Sequence, residues 1–531
     1  MRINLSIFLL IFIFSCGQKK DISHLSIFKY NESAGINSLD PAFSKDQASI
    51  WAVSQLYNGL VQLDSNLIVK PCIASSWSIS SNSLVYDFRL RNDVYFHDHE
   101  LFNDAKGRKV TAHDFEYSFS RLLDEDVASP GRWVLSNVSS FKALNDSIFI
   151  INLKSPFPGF LGLLSMQYCS VVPKEIIESV DFHSNPIGTG PFKFQLWRKG
   201  EKLIFRKNPN YFEYHNNNPL PLLDGVAITF LRDKQAAFLQ FIMGNIDFLS
   251  GIDASYKDEI LTKDGFLNPK YNDKINYQLQ DYLNTEYLGF LFSDTLSPIK
   301  YLEIRKAINY GFDREKMLKY LRNDIGTPAI SGFVPKGMPS FNSNVIGYDY
   351  NPEKSKELIN QTKALYGDDL GQIKLSTTSS YLDLCEYIQN ELGKLGLDIS
   401  IDVNPPSTHR QMVATSKLSF FRGSWIADYP DAENYLSLFY SKNFSPNGPN
   451  YTHFINSSFD SLYDISLSEV NDSIRFTYYN LMDQIIVDNA QIVPLYYDNV
   501  LRFTQKNIKG LSNNPINMLN LKYVDKMLVN P

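Results

Sequence analysis

Apolar and polar positions alternate over Leu25-Ser26-Ile27-Phe28-Lys29-Tyr30, a strand pattern, and the run closes at Ser38-Leu39-Asp40-Pro41. The spacing then becomes helical from Ser49 to Leu60, with Ile50, Val53, Leu56, Tyr57 and Leu60 on one face and Gly59 near the end. Residues 77–97 predict two strands joined at Ser80-Ser81-Asn82-Ser83. Thr111 reads as a helix cap: Asp114 stands three residues on, and an apolar periodic run reaches Leu123. Pro186-Ile187-Gly188-Thr189-Gly190-Pro191 sets two glycines between prolines and predicts a tight loop, followed by strand-like runs and a turn at Lys207-Asn208-Pro209-Asn210-Tyr211. A β-α-β unit follows, with strands at 226–230 and 246–249 around a helix at 234–243. A helix then starts at Glu303 and a new one at Asp313. A second unit runs from Lys374-Leu375-Ser376-Thr377 through a helix at 382–395 to a strand at 398–403. Two separate α/β lobes are implied. No repeat or low-complexity linker marks their boundaries.

One strand carries unusual chemistry. In Arg422-Gly423-Ser424-Trp425-Ile426-Ala427-Asp428-Tyr429-Pro430-Asp431, a period of two puts Phe420, Arg422, Ser424, Ile426 and Asp428 on one face. Phe421, Trp425, Ala427 and Tyr429 take the other. A cation and an anion on one face, with strand backbone between them, suit an extended zwitterionic ligand: Asp428 would meet an amine while main-chain groups near Ser424 and Ile426 pair with the ligand's backbone. The same residues also suit a buried strand whose Asp428 caps an Asp-Tyr-Pro-Asp turn. Local pattern leaves both readings open.

The N-terminus has Arg2, an apolar run through Phe14, then Ser15-Cys16-Gly17. The run is shorter than the ~20 residues that span a bilayer, so it reads as an export signal. Ile13-Phe14-Ser15-Cys16 resembles a bacterial lipobox, which would make Cys16 a lipidated first residue and Gln18-Lys19-Lys20-Asp21 part of a tether. The protein then works outside the cytoplasm. Cys72, Cys169 and Cys385 are odd in number and widely spaced, which indicates neither a disulfide framework nor a zinc site.

At 531 residues and 44% hydrophobic, the chain can fill several cores. A net charge of −6 without any Lys/Arg block argues against nucleic acid as a partner. Gly-x-Ser-x-Gly, His-Glu-x-x-His and Gly-x-x-x-x-Gly-Lys are all missing, so nothing indicates an enzyme or a nucleotide cofactor. His97-Asp98-His99-Glu100, with Asp104 and His113 nearby, reads as a polar loop rather than a metal site, because no clear third ligand stands on a fixed element.

Taken together, several stretches resemble the extracytoplasmic solute-binding proteins of peptide-type ABC importers (family 5), especially the oligopeptide binders. They are Ser38-Leu39-Asp40-Pro41, Leu56-Tyr57-Asn58-Gly59-Leu60, the strand from Tyr86 to Val94, and Thr111-Ala112-His113-Asp114-Phe115. Then come Gly188-Thr189-Gly190-Pro191-Phe192, Lys207-Asn208-Pro209-Asn210-Tyr211, Gly244-Asn245-Ile246-Asp247, Arg305-Lys306-Ala307-Ile308-Asn309-Tyr310 and Trp425-Ile426-Ala427-Asp428-Tyr429. The resemblance implies a two-lobed periplasmic-binding-protein clam-shell (cluster C) of α/β class. Residues 1–16 would be the signal and 17–23 the tether. Residues 24–57, 185–283 and 493–531 would form lobe I, 58–184 an inserted subdomain and 284–492 lobe II. Hinge crossings would fall near Tyr287-Leu288-Gly289-Phe290 and Pro494-Leu495-Tyr496-Tyr497.

By the same resemblance, Asp428 would pair with a peptide's amino terminus, and Ser424 and Ile426 would offer main-chain hydrogen bonds. Trp425 would border side-chain pockets, and Arg422 would lie toward the ligand's carboxylate. Lys45 and Gln47 would supply the opposite wall. Ser424 stands where such proteins usually have glycine, with Gly423 displaced by one. The implied protein is a monomer, lipid-anchored in the bacterial envelope, that passes peptides to ABC permease subunits and needs no metal or cofactor. The same fold could take a nickel chelate, an oligosaccharide or an opine, but a neutral sugar would not need Asp428.

Overall fold

The computed structural model describes residues 25–253, 255–291 and 297–527. Cys16, the export signal and the tether expected over residues 1–23 lie outside them. In the first lobe β1 (Ile27–Asn31) leads to α1 (Gln47–Leu56). An inserted region follows with β2 (Ala74–Ile79), β3 (Val85–Leu90), α2 (Ala112–Leu123), β4 (Val138–Asn145), β5 (Ile148–Leu153) and α3 (Phe160–Leu164). The chain returns through β6 (Phe192–Arg198), β7 (Lys202–Lys207), β8 (Gly225–Thr229), α4 (Lys234–Ile242) and β9 (Phe248–Ser250). After the long β10 (Ile275–Phe290), the second lobe holds α5 (Leu302–Tyr310), α6 (Arg314–Arg322) and β11 (Thr327–Pro328). It continues with β12 (Ile373–Thr377), α7 (Leu382–Lys394), β13 (Ile399–Val403), α8 (Pro406–Ala414), β14 (Phe420–Ile426) and α9 (Asp472–Asp488). The long β15 (Ile492–Gln505) then crosses back.

The lobes do not have separate sheets. One sheet runs β13-β12-β14-β10-β15-β9-β1-β8-β7-β6, with β11 paired beside β15. The long antiparallel β10 and β15 belong to both lobes. Their ladder shifts register between Asp281 and Thr285 and again between Glu286 and Tyr287, so part of the capacity to bend lies just ahead of the expected Tyr287–Phe290 crossing. The inserted region adds its own sheet, β2-β3-β5-β4. The first β-α-β unit has β1 lying between its two strands, parallel to both, whereas the strands of the second are direct neighbours.

Local chemistry explains these elements and one departure. The Asp114 carboxylate accepts from the Thr111 N–H at 2.8 Å and completes the capping box of α2. The helix expected from Ser49 to Leu60 begins earlier, at an Asp46 cap, and stops at Leu56. Gly190 N–H donates to the Leu56 carbonyl at 2.8 Å, and a Cβ on Gly188 would lie 2.1 Å from that oxygen. The glycine loop thus occupies the space where α1 would continue. His97 pins this loop: its Nδ1 accepts from the Gly188 N–H, and its Nε2 lies 3.0 Å from the Gly190 carbonyl.

The lobes are closed on one another. Tyr429 of the second lobe is 4% exposed inside the apolar cluster of the first lobe and inserted region. Leu67 of the inserted region is 8% exposed inside a cluster of the second lobe. Each side thus buries an apolar side chain in the other. A Cβ on Gly162 of α3 would meet Tyr429 Cβ at 3.2 Å and Pro430 Cδ at 3.6 Å, so the missing side chain sets how closely the lobes approach.

Candidate ligand-binding cleft

β14 pairs along one edge with β10, from Asn284 opposite Ile426 to Phe290 opposite Phe420. On its other edge β12 pairs only with Phe420 and Phe421, and His409 Nε2 takes the Arg422 carbonyl at 2.8 Å. The N–H and C=O of a strand residue point to the same side, and Ala427 N–H donates to the Leu283 carbonyl, so Gly423, Trp425 and Ala427 face β10. The main-chain groups of Ser424 and Ile426 therefore point to the edge that has no neighbouring strand among the described residues. Glycine at 423 also has a reason: the residue lies opposite Tyr287, and a Cβ there would come within 2.7 Å of the tyrosine ring.

The side chains expected to share one face separate in the structure. Arg422 forms a close ion pair with Glu286, and its guanidinium stacks 3.3 Å over the Tyr381 ring. Both ion-pair side chains are largely buried, at 12% and 3% exposure, so the Arg422 charge is already neutralised inside the second lobe. Trp425 packs against a core of that lobe, and its indole N–H donates to Asn434 Oδ1 at 2.9 Å. Arg422, Ser424 and Trp425 do not line the cavity described next; Asp428, Ile426, Lys45 and Gln47 do.

That cavity measures about 380 Å³ and lies between the lobes. Ile426, Ala427 and Asp428 contribute from the second lobe, Lys45, Gln47 and Trp51 from the first, and Tyr168 from the inserted region. Gln47 sits against the Tyr282 hydroxyl. Asp428 is exposed toward the cavity, yet the protein crowded around it raises its carboxyl above the ordinary range, with a hydrogen bond from Asn434 pulling weakly the other way. The Tyr168 phenol, pushed up to about 12 first by burial and then by Asp428 and Asp46, lies within reach of acids from both lobes.

A rigid turn holds Asp428. Asn434, which sequence reasoning missed, accepts from Trp425 Nε1 and from Asp428 N–H, and donates to Asp428 Oδ2 at 3.3 Å. Asp431 accepts from Tyr479 at 2.7 Å and from Arg475 at 3.1 Å. Glu433 accepts from the phenols of Tyr429 and Tyr463. The turn chemistry read from Asp-Tyr-Pro-Asp is therefore present, but Asp431 and Asn434 secure it, and the Asp428 carboxylate stays open to the cavity. The polar loop at His97 has no metal-ligand group among the described residues, and His97 is buried with both ring nitrogens at the glycine loop.

Residues 69–447 match the bacterial extracellular solute-binding proteins, family 5 (the middle region), and the chain belongs to that family. It is 24% identical to the dipeptide-binding protein DppE of Bacillus subtilis, over 92% of this chain and 90% of DppE. The periplasmic binding protein DppA of Helicobacter pylori, solved with the peptide STSA, superposes with a TM-score of 0.78 at 25% identity, covering 94% of this chain and 98% of DppA. NikZ of Campylobacter jejuni, solved with Ni(L-His), superposes at 0.74 with 24% identity, over 92% and 96% of the two chains. The fold is thus the two-lobed α/β architecture of periplasmic binding proteins, and it serves different solutes in different members.

Proposed function

We propose that this family 5 solute-binding protein captures peptides with a free amino terminus in the interlobe cavity and delivers them to the membrane subunits of an ABC importer. The observation that carries the reading is Asp428, a carboxylate open to the cavity, oriented by Asn434 and without a cationic partner among the described residues. A ligand ammonium would supply the missing charge. The unpaired main-chain edge at Ser424 and Ile426 would bind backbone without regard to side-chain identity, and relatives named as dipeptide and oligopeptide binders support the same solute class. Gln47 would close the opposite wall, Trp425 would back the turn, and Arg422 would hold β14 through Glu286 rather than meet the ligand. No helix among the described residues is long and apolar enough to cross a membrane. In this reading a monomer works in the cell envelope, held to the membrane by lipid on Cys16.

Calorimetry with a peptide and its N-acetylated twin tests the charge contact. Removing one partner of such a contact costs about 2–5 kcal/mol, or roughly 30-fold and upward in Kd. Asp428→Asn should therefore lose most of its affinity for the free peptide and scarcely change for the acetylated one. Equal affinity of the wild-type protein for both peptides would overturn the reading. Mass spectrometry of ligand released from the natively purified protein should find peptides.

A further inference from the structure

The charged side chains that line the interlobe cavity are Lys45, Asp64, Asp428 and Lys522, and of these Lys522 alone is buried, at 4% exposure. It stands where the first lobe meets the inserted region, on the wall that also carries Asn58, Gln62, Cys72 and Tyr211. Its ammonium donates to Gln62 Oε1 at 2.7 Å and forms a close ion pair with Glu213. Glu213 also accepts from Gln62 Nε2 at 2.6 Å and from the Tyr211 hydroxyl at 3.0 Å, and it does not line the cavity. The Tyr211 hydroxyl accepts in turn from Asn58 at 3.3 Å, and Asn58 Oδ1 accepts from Thr189 at 3.1 Å. The ion pair is therefore polarised, with its anion behind the wall and its cation at the cavity. An ammonium carries three N–H groups. Two have acceptors here, and the third has none among the described residues.

We infer that Lys522 forms a side-chain subsite, and that this subsite selects peptide residues whose side chains end in an oxygen acceptor, the carboxylates and carboxamides. The inference rests on the peptide reading above and adds to it a residue preference, which main-chain pairing cannot supply. An acceptor from the ligand completes the third N–H with a hydrogen bond of the stronger, charge-assisted kind. An apolar side chain of the same length leaves that N–H dry and unpaired, which a site built to hydrogen-bond penalises more than it penalises a change of shape. A cationic side chain meets Lys522 as a like charge, while the Glu213 carboxylate is turned to its own three donors. Cys72 does not neutralise the lysine: burial pushes its thiol up to about 12, so it stays protonated.

The experiment measures Kd by calorimetry for tripeptides in which one residue is Glu, Gln, Met or Lys and the other two are alanine. The variable residue takes each position in turn, and both termini are free in every peptide, so terminal contacts cancel from the ranking. The proteins are wild type and the double variant Lys522→Met with Glu213→Gln, which removes both charges together and strands neither. At one position wild type should bind the Glu and Gln peptides about tenfold or more tighter than the Met and Lys peptides. In the double variant that gap should close, with the Met peptide gaining. The inference is overturned if wild type binds Met or Lys as tightly as Gln at every position, a result that needs no variant to fold. It is also overturned if the folded double variant keeps the wild-type ranking. Failure of every tripeptide to bind would overturn the peptide reading and this inference with it; binding without any ranking would overturn this inference alone.

Discussion

Gly162 should report on lobe closure separately from ligand contact. Its position lies within α3, and the three atoms nearest to a Cβ placed there belong to Tyr429 and Pro430 of the opposite lobe, leaving aside its chain neighbours and the backbone of its own helix. A methyl at 3.2 Å from Tyr429 Cβ must push the turn back by a few tenths of an ångström, and it does so only when the lobes are shut. Overfilling a packed contact costs about 1–3 kcal/mol. Alanine adds one carbon and should sit at the lower bound, near fivefold in Kd; valine should approach the upper bound, near 100-fold. Because the penalty falls on the closed form alone, it subtracts directly from binding free energy. The ligand-free protein should behave oppositely: Gly→Ala inside a helix gains up to about 1 kcal/mol, so Gly162→Ala should unfold slightly later. Calorimetry on the two variants, with urea unfolding of ligand-free protein, separates the effects. X-ray scattering should show the variants more open at equal ligand saturation. Wild-type affinity in a folded Gly162→Val would refute the reasoning, because it would mean that the Tyr429 contact survives or does not matter in the bound state.

Asn434→Ala removes the acceptor shared by Trp425 and the Asp428 N–H and the donor to Asp428 Oδ2. Free-peptide affinity should fall about tenfold, in line with an orphaned buried hydrogen bond, while calorimetry shows little change for the N-acetyl twin. His97 is held neutral by burial, with its pKa pushed down to about 4, so the unfolded chain takes up a proton first as pH falls. The His97 contribution to stability is complete above about pH 6.5 and should fall by about 3 kcal/mol on the way to pH 4. Denaturant titrations across that range should show a slope smaller by this amount in His97→Gln than in wild type. Arg422→Ala strands Glu286, whose side chain is 3% exposed; urea unfolding should show a loss of about 3–5 kcal/mol, most of it recovered in Arg422→Met with Glu286→Gln.

Patterns confined to a few turns of chain were readable. Thr111 and Asp114 lie three residues apart, and the helix they begin is the one observed. The strand before Asp428 and both parallel units followed from alternation and periodicity. Contacts between distant segments were not readable. α1 ends at Leu56 because Gly190, far along the chain, takes its carbonyl. Arg422 looked available to a ligand because its partner Glu286 is 136 residues away, on a strand that alternation had not picked out. Asn434 left no signal, since an asparagine just after a turn is ordinary in sequence and acquires its role only once Trp425 folds back over it. What pattern supplies is the backbone that carries an open carboxylate; which charges remain unpaired is decided by packing.

On the proposed peptide reading, that packing would also make capture and closure one event. Asp428 faces the cavity and Tyr429, the next residue, is buried in the other lobe. Asp431 ties the same turn to Arg475 and Tyr479, and Glu433 ties it to Tyr463. A turn braced at Asp431 and Glu433 cannot move its ligand-facing residue independently of its lobe-facing residue. Opening the lobes must therefore withdraw Asp428 from the first-lobe wall of the cavity, and on the proposed reading a ligand ammonium on Asp428 would favour the position in which Tyr429 is seated beside Gly162. Two adjacent residues would thus convert a charge contact into a conformational preference, with no signal needing to travel farther than one peptide bond.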